Sequence, residues 1–234
     1  MVENCKVCPY YSTCNLGQKV GQKENCEKKY NLDSLFSKSC LSDVQRKHIS
    51  LFVDADSTDI NEFKWLAELE KNIEQFVASG QNLYIHSSTC GNGKSSWSIR
   101  LLSSYFYKIW HKTNFECQGL FVSVPRYLLA LKDSISNYNE YTEFIQANIL
   151  KADLVVWDDL GNKAGSEFEL NHLLNAINTR MDLGKSNIFT SNLSSKEMTQ
   201  ALGERLASRV CNKSIEIEFH GSDKRKFGLQ TGGN

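Results

Sequence analysis

The sequence predicts an α/β fold in which helices cover a parallel sheet, preceded by a small separate segment. Short apolar runs of strand character alternate with longer stretches of helical spacing, an order typical of parallel sheets. Two of these runs end in polar or charged side chains, and parallel sheets bind ligands at the carboxyl ends of their strands. Four cysteines within the first thirty residues mark the separate segment.

The composition indicates one ordinary domain with a small appendage. The chain has 234 residues, of which 41% are hydrophobic, and 27 residues of each charge sign. That apolar content is enough for a core, and the balanced charge means that any contact with nucleic acid is local or depends on assembly. The sequence shows neither an apolar run of bilayer length nor a signal segment. We therefore expect a cytoplasmic protein with no membrane partner.

The cysteine-rich front predicts a metal site. Its cysteines follow the pattern C-x2-C-x5-C-x11-C and are Cys5, Cys8, Cys14 and Cys26. So short and polar a segment cannot bury enough apolar surface to fold alone, and tetrahedral Zn²⁺ bound by four thiolates would stabilise it. An iron–sulfur cluster uses the same ligands and is the less favoured alternative. Cys40 and His48 are substitutes if one of the four is not a ligand, and free surface thiols are the remaining interpretation.

A domain boundary is predicted near residues 48–55. Residues from about 31 to 60 are interpreted as a connector, which ends in the acidic, turn-prone stretch 54–59. We therefore divide the chain into a metal-binding domain, residues 1–50, and an α/β domain, residues 51–234.

Residues 82–97 predict a phosphate-binding loop between a strand and a helix. Gly91 and Gly93 let backbone N–H groups wrap a polyphosphate, Lys94 neutralises its outer phosphates, and the Ser95 hydroxyl binds Mg²⁺. Ser88 stands where the first glycine of the usual motif would be. The alternative is an ordinary glycine turn. The residues expected to contact the nucleotide are Thr89, Cys90, Gly91, Asn92, Gly93, Lys94, Ser95 and Ser96.

A second chemical signal is the apolar run at residues 153–157, which ends in Asp158 and Asp159. Such a strand places two carboxylates at the edge of the sheet where ligands bind. Asp158 is then positioned to share the Mg²⁺ shell with Ser95, and Asp159 to polarise the attacking water.

Two further polar features follow the acidic strand. Asn192 ends the next predicted strand, and it would lie between the γ-phosphate and the lytic water if that strand neighbours the one ending at Asp158. The alternative is a turn asparagine. Arg205 and Arg209 are one helical turn apart on one face of a later helix.

Periodicity and capping signals predict the other elements. The stretch 132–143 is interpreted as a surface helix or loop, whose Tyr138 and Tyr141 can stack on unpaired bases. The other elements are a helix over about 61–79 stopped by Gly80, a helix ending near Ile109, a strand over 119–124 followed by a helix with Pro125 in its first turn, a helix over about 166–183 closed by Gly184, a helix opened by the Ser194 and Glu197 capping box, and an edge strand over 214–219.

Taken together, residues from about 55 to 225 resemble the AAA+ ATPase domain of replicative-helicase loaders of the DnaC/DnaI type, particularly phage versions of the DnaI-like branch. The resemblance lies in the stretches 82–97, 119–125, 153–159, 186–192 and 203–209. It implies the ASCE class of P-loop fold, here without a helical lid because the chain ends soon after Phe219. The cysteine-rich front is similar, by type and position, to the zinc-bearing helicase-binding domain of that branch.

The resemblance implies a role for each site residue. Lys94 and Ser95 hold ATP and Mg²⁺, Asp158 is the acid on the metal side, and Asn192 senses the γ-phosphate. Arg209 matches the arginine finger that reaches a neighbouring subunit, with Arg205 as support or substitute. Arg225 lies near the position of a second nucleotide-sensing arginine.

The implied function is ATP-dependent loading of a hexameric replicative helicase onto single-stranded DNA during replication initiation, with the front domain bound to the helicase. An arginine acting in trans implies a self-oligomer. The same arginine makes ATP hydrolysis dependent on assembly, whereas Ser88 in place of glycine, and Asp159 in place of the glutamate of many AAA+ enzymes, predict that hydrolysis is slow. The alternatives are a transposition regulator of the IstB type and a nucleotide-binding adaptor that does not hydrolyse ATP.

Overall fold

The computed structural model describes residues 23–46, 57–161 and 165–224. Their centre is a five-stranded parallel sheet in the order β2-β3-β4-β1-β5. The strands are β1 (Asn82–His86), β2 (Gly119–Ser123), β3 (Leu154–Asp158), β4 (Ser186–Ser191) and β5 (Ile215–Glu218). The sheet confirms the predicted α/β fold, and β5 lies at an edge as predicted.

Helices cover both faces of this sheet. They are α1 (Lys23–Ser37), α2 (Asp43–Arg46), α3 (Ile60–Lys71), α4 (Ile73–Ala78), α5 (Lys94–Ile109), α6 (Val124–Asp133), α7 (Glu140–Asn148), α8 (Glu167–Asp182), α9 (Ser195–Leu202) and α10 (Glu204–Cys211), with a 3₁₀ turn at Trp110–Lys112. None of the helices in the described part of the chain is long and apolar enough to cross a membrane.

Alternation along the strands separates two apolar cores. Leu83 and Ile85 of β1 face the core formed with α1, α3, α4 and α5, whereas Tyr84 faces the core formed with α6 to α10. Successive side chains of a strand point to opposite faces, so each central strand contributes to both cores. This two-sided burial explains why the central strands are continuous apolar runs.

The register brings the chemically important strand ends together. His86 of β1 pairs with Ser191 of β4, and Ser123 of β2 pairs with Asp158 of β3. The phosphate loop, the paired acids and Asn192 therefore leave the sheet at the same edge.

Helix α1 packs directly on the α/β domain. The Phe36 and Phe106 rings meet edge to face at 5.1 Å between centroids, and Asn31 donates a hydrogen bond to the Trp110 carbonyl at 3.0 Å. The Ser39 carbonyl accepts the N–H of Phe121 at 2.8 Å and so satisfies part of the open edge of β2. The division into residues 1–50 and 51–234 stays a prediction, because residues 1–22 and 47–56 lie outside the described parts.

Two local predictions differ from the structure. The connector predicted from about residue 31 is helical as far as Ser37, because Leu32, Leu35 and Phe36 share one buried face. The single helix predicted over 61–79 is two helices, α3 and α4. They separate at Asn72, whose side-chain amide donates to the Glu68 carbonyl at 3.0 Å in competition with the helix backbone.

The end of the sheet opposite the strand ends just described is closed by Arg180 of α8, which is fully buried. Its Nε donates to Oδ1 of Asn187 at 2.8 Å. Its Nη atoms donate to the main-chain carbonyls of Ile149, Ala152, Asp153 and Ser186. Burial lowers the pKa of Arg180 to about 9, so the guanidinium remains charged at neutral pH. The side chain thus connects α8, β4 and the turn before β3.

Candidate functional site

The loop between β1 and α5 has the backbone of a phosphate cradle. Gly91 and Gly93 have φ angles of 76° and 107°, a region that glycine enters without steric cost. Gly93 is also the N-cap of α5, so the first N–H groups of that helix open toward the loop. Ser88 is exposed and is not among the residues of positive φ, so its replacement of a glycine creates no backbone strain.

Side chains beneath the loop fix its shape. The buried Ser87 hydroxyl accepts hydrogen bonds from Nδ2 of Asn92 at 2.6 Å and from the Thr89 N–H at 3.1 Å. Lys94 Nζ donates to the Thr89 carbonyl at 2.9 Å and to Oδ1 of Asn92 at 3.3 Å. The lysine ammonium is therefore held within the loop, where a phosphate oxygen would be an alternative acceptor.

Asp158 lies at the end of β3 and faces this loop. Oδ1 of Asp158 accepts the Thr190 hydroxyl at 2.7 Å, and Ser95 provides a second side-chain hydrogen bond. Burial raises the pKa of Asp158 despite these two bonds, and the neighbouring Asp159 charge raises it further. The structure therefore brings together Ser95 and Asp158, the pair predicted to bind Mg²⁺. A cation beside Asp158 would offset the free-energy cost of burying its charge.

Asp159 follows with an unusual backbone. Its φ of 59° lies in the left-handed region, which aspartate tolerates better than most residues. Its N–H donates to the Thr190 hydroxyl at 3.0 Å. Thr190 therefore fixes both acids at once, a role that the sequence reasoning missed although Thr190 lies two residues before the predicted Asn192.

Asn192 begins the loop after β4 and is half-buried. The Ser191 hydroxyl donates to the Leu160 carbonyl at 2.6 Å and accepts the Leu193 N–H at 3.1 Å, which ties this loop to the one that follows Asp159. The Ser191 carbonyl accepts the N–H of Ser87 at 3.3 Å. Because β4 lies between β3 and β1, the loop that begins at Asn192 leaves the sheet between the acids and the phosphate loop. The position of Asn192 between the γ-phosphate and the lytic water stays a prediction.

The segment after β5 closes over the outer side of the phosphate loop. Buried Asp59 accepts the N–H of His220 at 2.6 Å and the N–H of Gly221 at 2.9 Å. The Lys224 N–H donates to the Gly91 carbonyl at 3.0 Å, and Lys224 Nζ lies 4.3 Å from the Phe63 ring centroid. Sequence reasoning placed Asp59 in an acidic turn and gave it no partner.

The remaining predicted residues are only partly described. Arg205 is exposed and Arg209 is half-exposed on α10. Cys26 lies half-buried on α1. Arg225, Cys5, Cys8 and Cys14 lie outside the described residues, and within the described ranges no cluster of three potential metal-ligating side chains occurs. The zinc site therefore stays a prediction.

The sheet order, the glycine loop before α5 and the acid at the end of β3 form an α/β fold of the P-loop type. Within this class, the chain is similar to replicative helicase loaders of the DnaC/DnaI type. The replicative helicase loader DnaC of Escherichia coli K12 is 22% identical over 147 residues, which are 63% of this chain and 54% of DnaC. The match therefore spans about half the length of that relative. No protein-family model matches the chain.

Solved structures show the same fold. The crystal structure of DnaI is 21% identical with a TM-score of 0.59, over 77% of this chain and 95% of that one. The crystal structure of the DnaC helicase loader is 19% identical with a TM-score of 0.56, over 71% and 93%. DnaA from Aquifex aeolicus, bound to AMPPCP, is 18% identical with a TM-score of 0.54, over 72% and 48%.

Proposed function

We propose that this chain is an ATP-binding protein that loads a hexameric replicative helicase onto single-stranded DNA. The supporting observation is the meeting of Lys94, Ser95 and Asp158 at one end of a sheet, in a chain similar to DnaC. A helicase loader needs a nucleotide site that changes state, and this arrangement can provide one.

The residues of the site fit ATP with Mg²⁺. The glycine loop offers N–H groups to the phosphates, and Lys94 turns from the Thr89 carbonyl to the outer phosphates. The Ser95 hydroxyl and the Asp158 carboxylate are hard oxygen ligands that suit Mg²⁺. Bound magnesium would neutralise the charge on the β- and γ-phosphates.

Hydrolysis in this scheme transfers the γ-phosphoryl group to water and yields ADP and phosphate. Asp159 accepts a hydrogen bond from the attacking water, and Asn192 orients that water against the γ-phosphate. Because aspartate is one methylene shorter than glutamate, water is held farther from phosphorus and turnover is slow. ATP then serves mainly as a switch for assembly and for contact with single-stranded DNA.

Arg209 completes the site of a neighbouring subunit, so turnover depends on self-assembly. The front segment, stabilised by zinc on Cys5, Cys8, Cys14 and Cys26, binds the helicase. The half-exposed position of Arg209 on α10 supports the proposed contact with a neighbouring subunit. The cysteine pattern supports the proposed zinc-stabilised front segment.

Nucleotide binding tests the proposal most directly. A Lys94→Ala variant should bind Mg-ATP about 10- to 100-fold more weakly, because it loses charge-assisted hydrogen bonds to phosphate. Lys196→Ala, which changes an exposed lysine of α9, should bind like the unaltered protein. The measurement is equilibrium titration with a fluorescent ATP analogue. Failure of the unaltered protein to bind ATP and magnesium would contradict the proposal.

Turnover and partner binding test the finer statements. Phosphate release should be slow alone and rise with helicase and single-stranded DNA. Arg209→Ala should bind ATP normally yet turn it over poorly, and mixing it with Lys94→Ala should recover part of the activity. Rapid turnover without DNA would contradict the proposal that ATP serves mainly as a switch. Co-purification with a transposase instead of a helicase would favour the alternative function, a transposition regulator.

A further inference from the structure

The loop that carries Asn192 is supported from beneath by two residues of β1. Tyr84 and His86 lie on the same face of the strand and stack at 5.0 Å between ring centroids. The Tyr84 hydroxyl donates to the Leu193 carbonyl at 2.5 Å, directly after Asn192. The strand that leads into the phosphate loop therefore also contacts the asparagine loop.

A second connection reaches this loop from the edge strand. Nε2 of His86 lies 2.9 Å from Oε1 of Glu216, and the Ser195 hydroxyl donates to the same oxygen at 2.5 Å. A carboxylate oxygen only accepts, so Nε2 of His86 carries the hydrogen. Glu216 therefore joins the end of β1 to the first residue of α9, three residues after Asn192.

The polar character of this cluster is unusual for its position. The His86 side chain is 4% exposed, and its Nδ1 atom has no hydrogen-bond partner. Burying a polar group in this way costs free energy that an apolar residue would avoid. The histidine offsets part of this cost by fixing the Glu216 carboxylate, which in turn holds the Ser195 hydroxyl.

We propose that Tyr84, His86 and Glu216 are positioning residues that hold Asn192 against the γ-phosphate. The proposal rests on the ATP site described above, and it assigns to the edge strand β5 a part in distinguishing ATP from ADP. The three residues act on the asparagine loop and not directly on the nucleotide. They act by fixing both ends of the loop 192–195, through the Leu193 carbonyl and the Ser195 hydroxyl.

Glu216 offers a clean test, because its side chain is 44% exposed on an edge strand and its loss should not prevent folding. Glu216→Leu removes the shared acceptor, and Glu216→Gln keeps an oxygen that can accept from His86 and Ser195. Glu218→Leu is the matched control on the same strand and the same face. For each variant, the affinities for AMPPCP and for ADP are measured with magnesium, together with turnover in the presence of helicase and DNA.

The expected result is specific to the γ-phosphate. Glu216→Leu should lower the ratio of AMPPCP to ADP affinity, and turnover, by about tenfold, since small misplacements of catalytic groups have effects of this size or larger. The affinity for ADP should be unchanged. Glu216→Gln and Glu218→Leu should behave like the unaltered protein. In an Asn192→Ala background, Glu216→Leu should have no further effect.

Other outcomes overturn the inference. Equal ratios in Glu216→Leu and Glu218→Leu, or an additive effect with Asn192→Ala, would show that Glu216 does not act through the asparagine. An equal loss of ADP and AMPPCP affinity would indicate damage to the whole site. If the unaltered protein binds neither nucleotide, the proposed function fails as well, whereas normal binding with an unaffected ratio removes only this inference.

Discussion

Replacing Arg180 by methionine should destabilise the protein strongly, although Arg180 lies at the end of the sheet opposite the candidate site. The guanidinium is fully buried and donates to the carbonyls of Ile149, Ala152 and Ser186, among others. Methionine fills a similar volume and donates no hydrogen bond. The variant therefore leaves these carbonyls without the donor that they have in the structure.

The magnitude follows from two opposing terms. The three carbonyls with the shorter bonds, those of Ile149, Ala152 and Ser186, cost about 6 kcal/mol at about 2 kcal/mol each when they lose their donor. Removing the buried charge, whose burial lowers the pKa of Arg180 to about 9, returns about 3 kcal/mol of desolvation. The expected loss of unfolding free energy is thus about 3 kcal/mol, and the melting temperature should fall by about 6–12 °C.

Urea unfolding followed by circular dichroism measures this loss. Lys64→Met, an exposed change on α3, is the control and should stay within about 0.5 kcal/mol of the unaltered protein. A loss of less than about 1 kcal/mol in Arg180→Met would refute the reasoning, because it would mean that the carbonyls find other partners at little cost.

Three further changes test the packing and the electrostatics. Gly119→Ala should cost about 1–3 kcal/mol, because its Cβ would lie 2.5 Å from Cε1 of Phe106; with Phe106→Leu the loss in urea unfolding should be smaller than the sum of the single losses, and simple additivity would disprove the clash. Asp158→Asn should raise the melting temperature of the nucleotide-free protein at neutral pH. The folded state raises the Asp158 pKa above its ordinary 3.8, so this carboxyl favours folding in acid and loses that contribution as the pH rises through the folded pKa. The increase in melting temperature should therefore vanish in acid, and an increase independent of pH would rule out the raised pKa of Asp158 as its cause. Asp59→Ala should speed hydrogen exchange at residues 220–224, because two amides lose an acceptor at a cost of about 2–4 kcal/mol; unchanged exchange there would contradict the role of this carboxylate.

Local chemistry explains why much of the site could be predicted from the sequence. The loop at Gly91 to Ser95 needs specific residues at fixed spacing, and the strand ending in Asp158 is a continuous apolar run. Parallel pairing then brings the strand ends to one edge, which is why Asn192 leaves the sheet beside Asp158 and the phosphate loop.

Long-range partners explain what the sequence reasoning missed. Asp59 and His220 are 161 residues apart, and no local pattern indicates that a carboxylate in an acidic turn will bind the amides that follow β5. The sequence identifies Thr190 only as part of a strand, because its contacts with both acids depend on the packing of β3 beside β4. The sequence does not indicate the helical end of α1, because its apolar face is short and its partners, such as Phe106 of α5, lie far away in the chain.

The junction between Ser39 and Phe121 determines where the molecule can be shortened. A truncated protein that starts at residue 57 would lose Ser39, which shields the edge of strand β2. The Phe106 ring would also lose its contact with Phe36 and become more exposed to water. Strand edges without hydrogen-bond partners pair with other chains, so such a fragment should aggregate or dimerise through β2. Fragments of the α/β domain intended for crystallisation or binding work should therefore begin ahead of Lys23, well before the boundary near residues 48–55 that the sequence predicts.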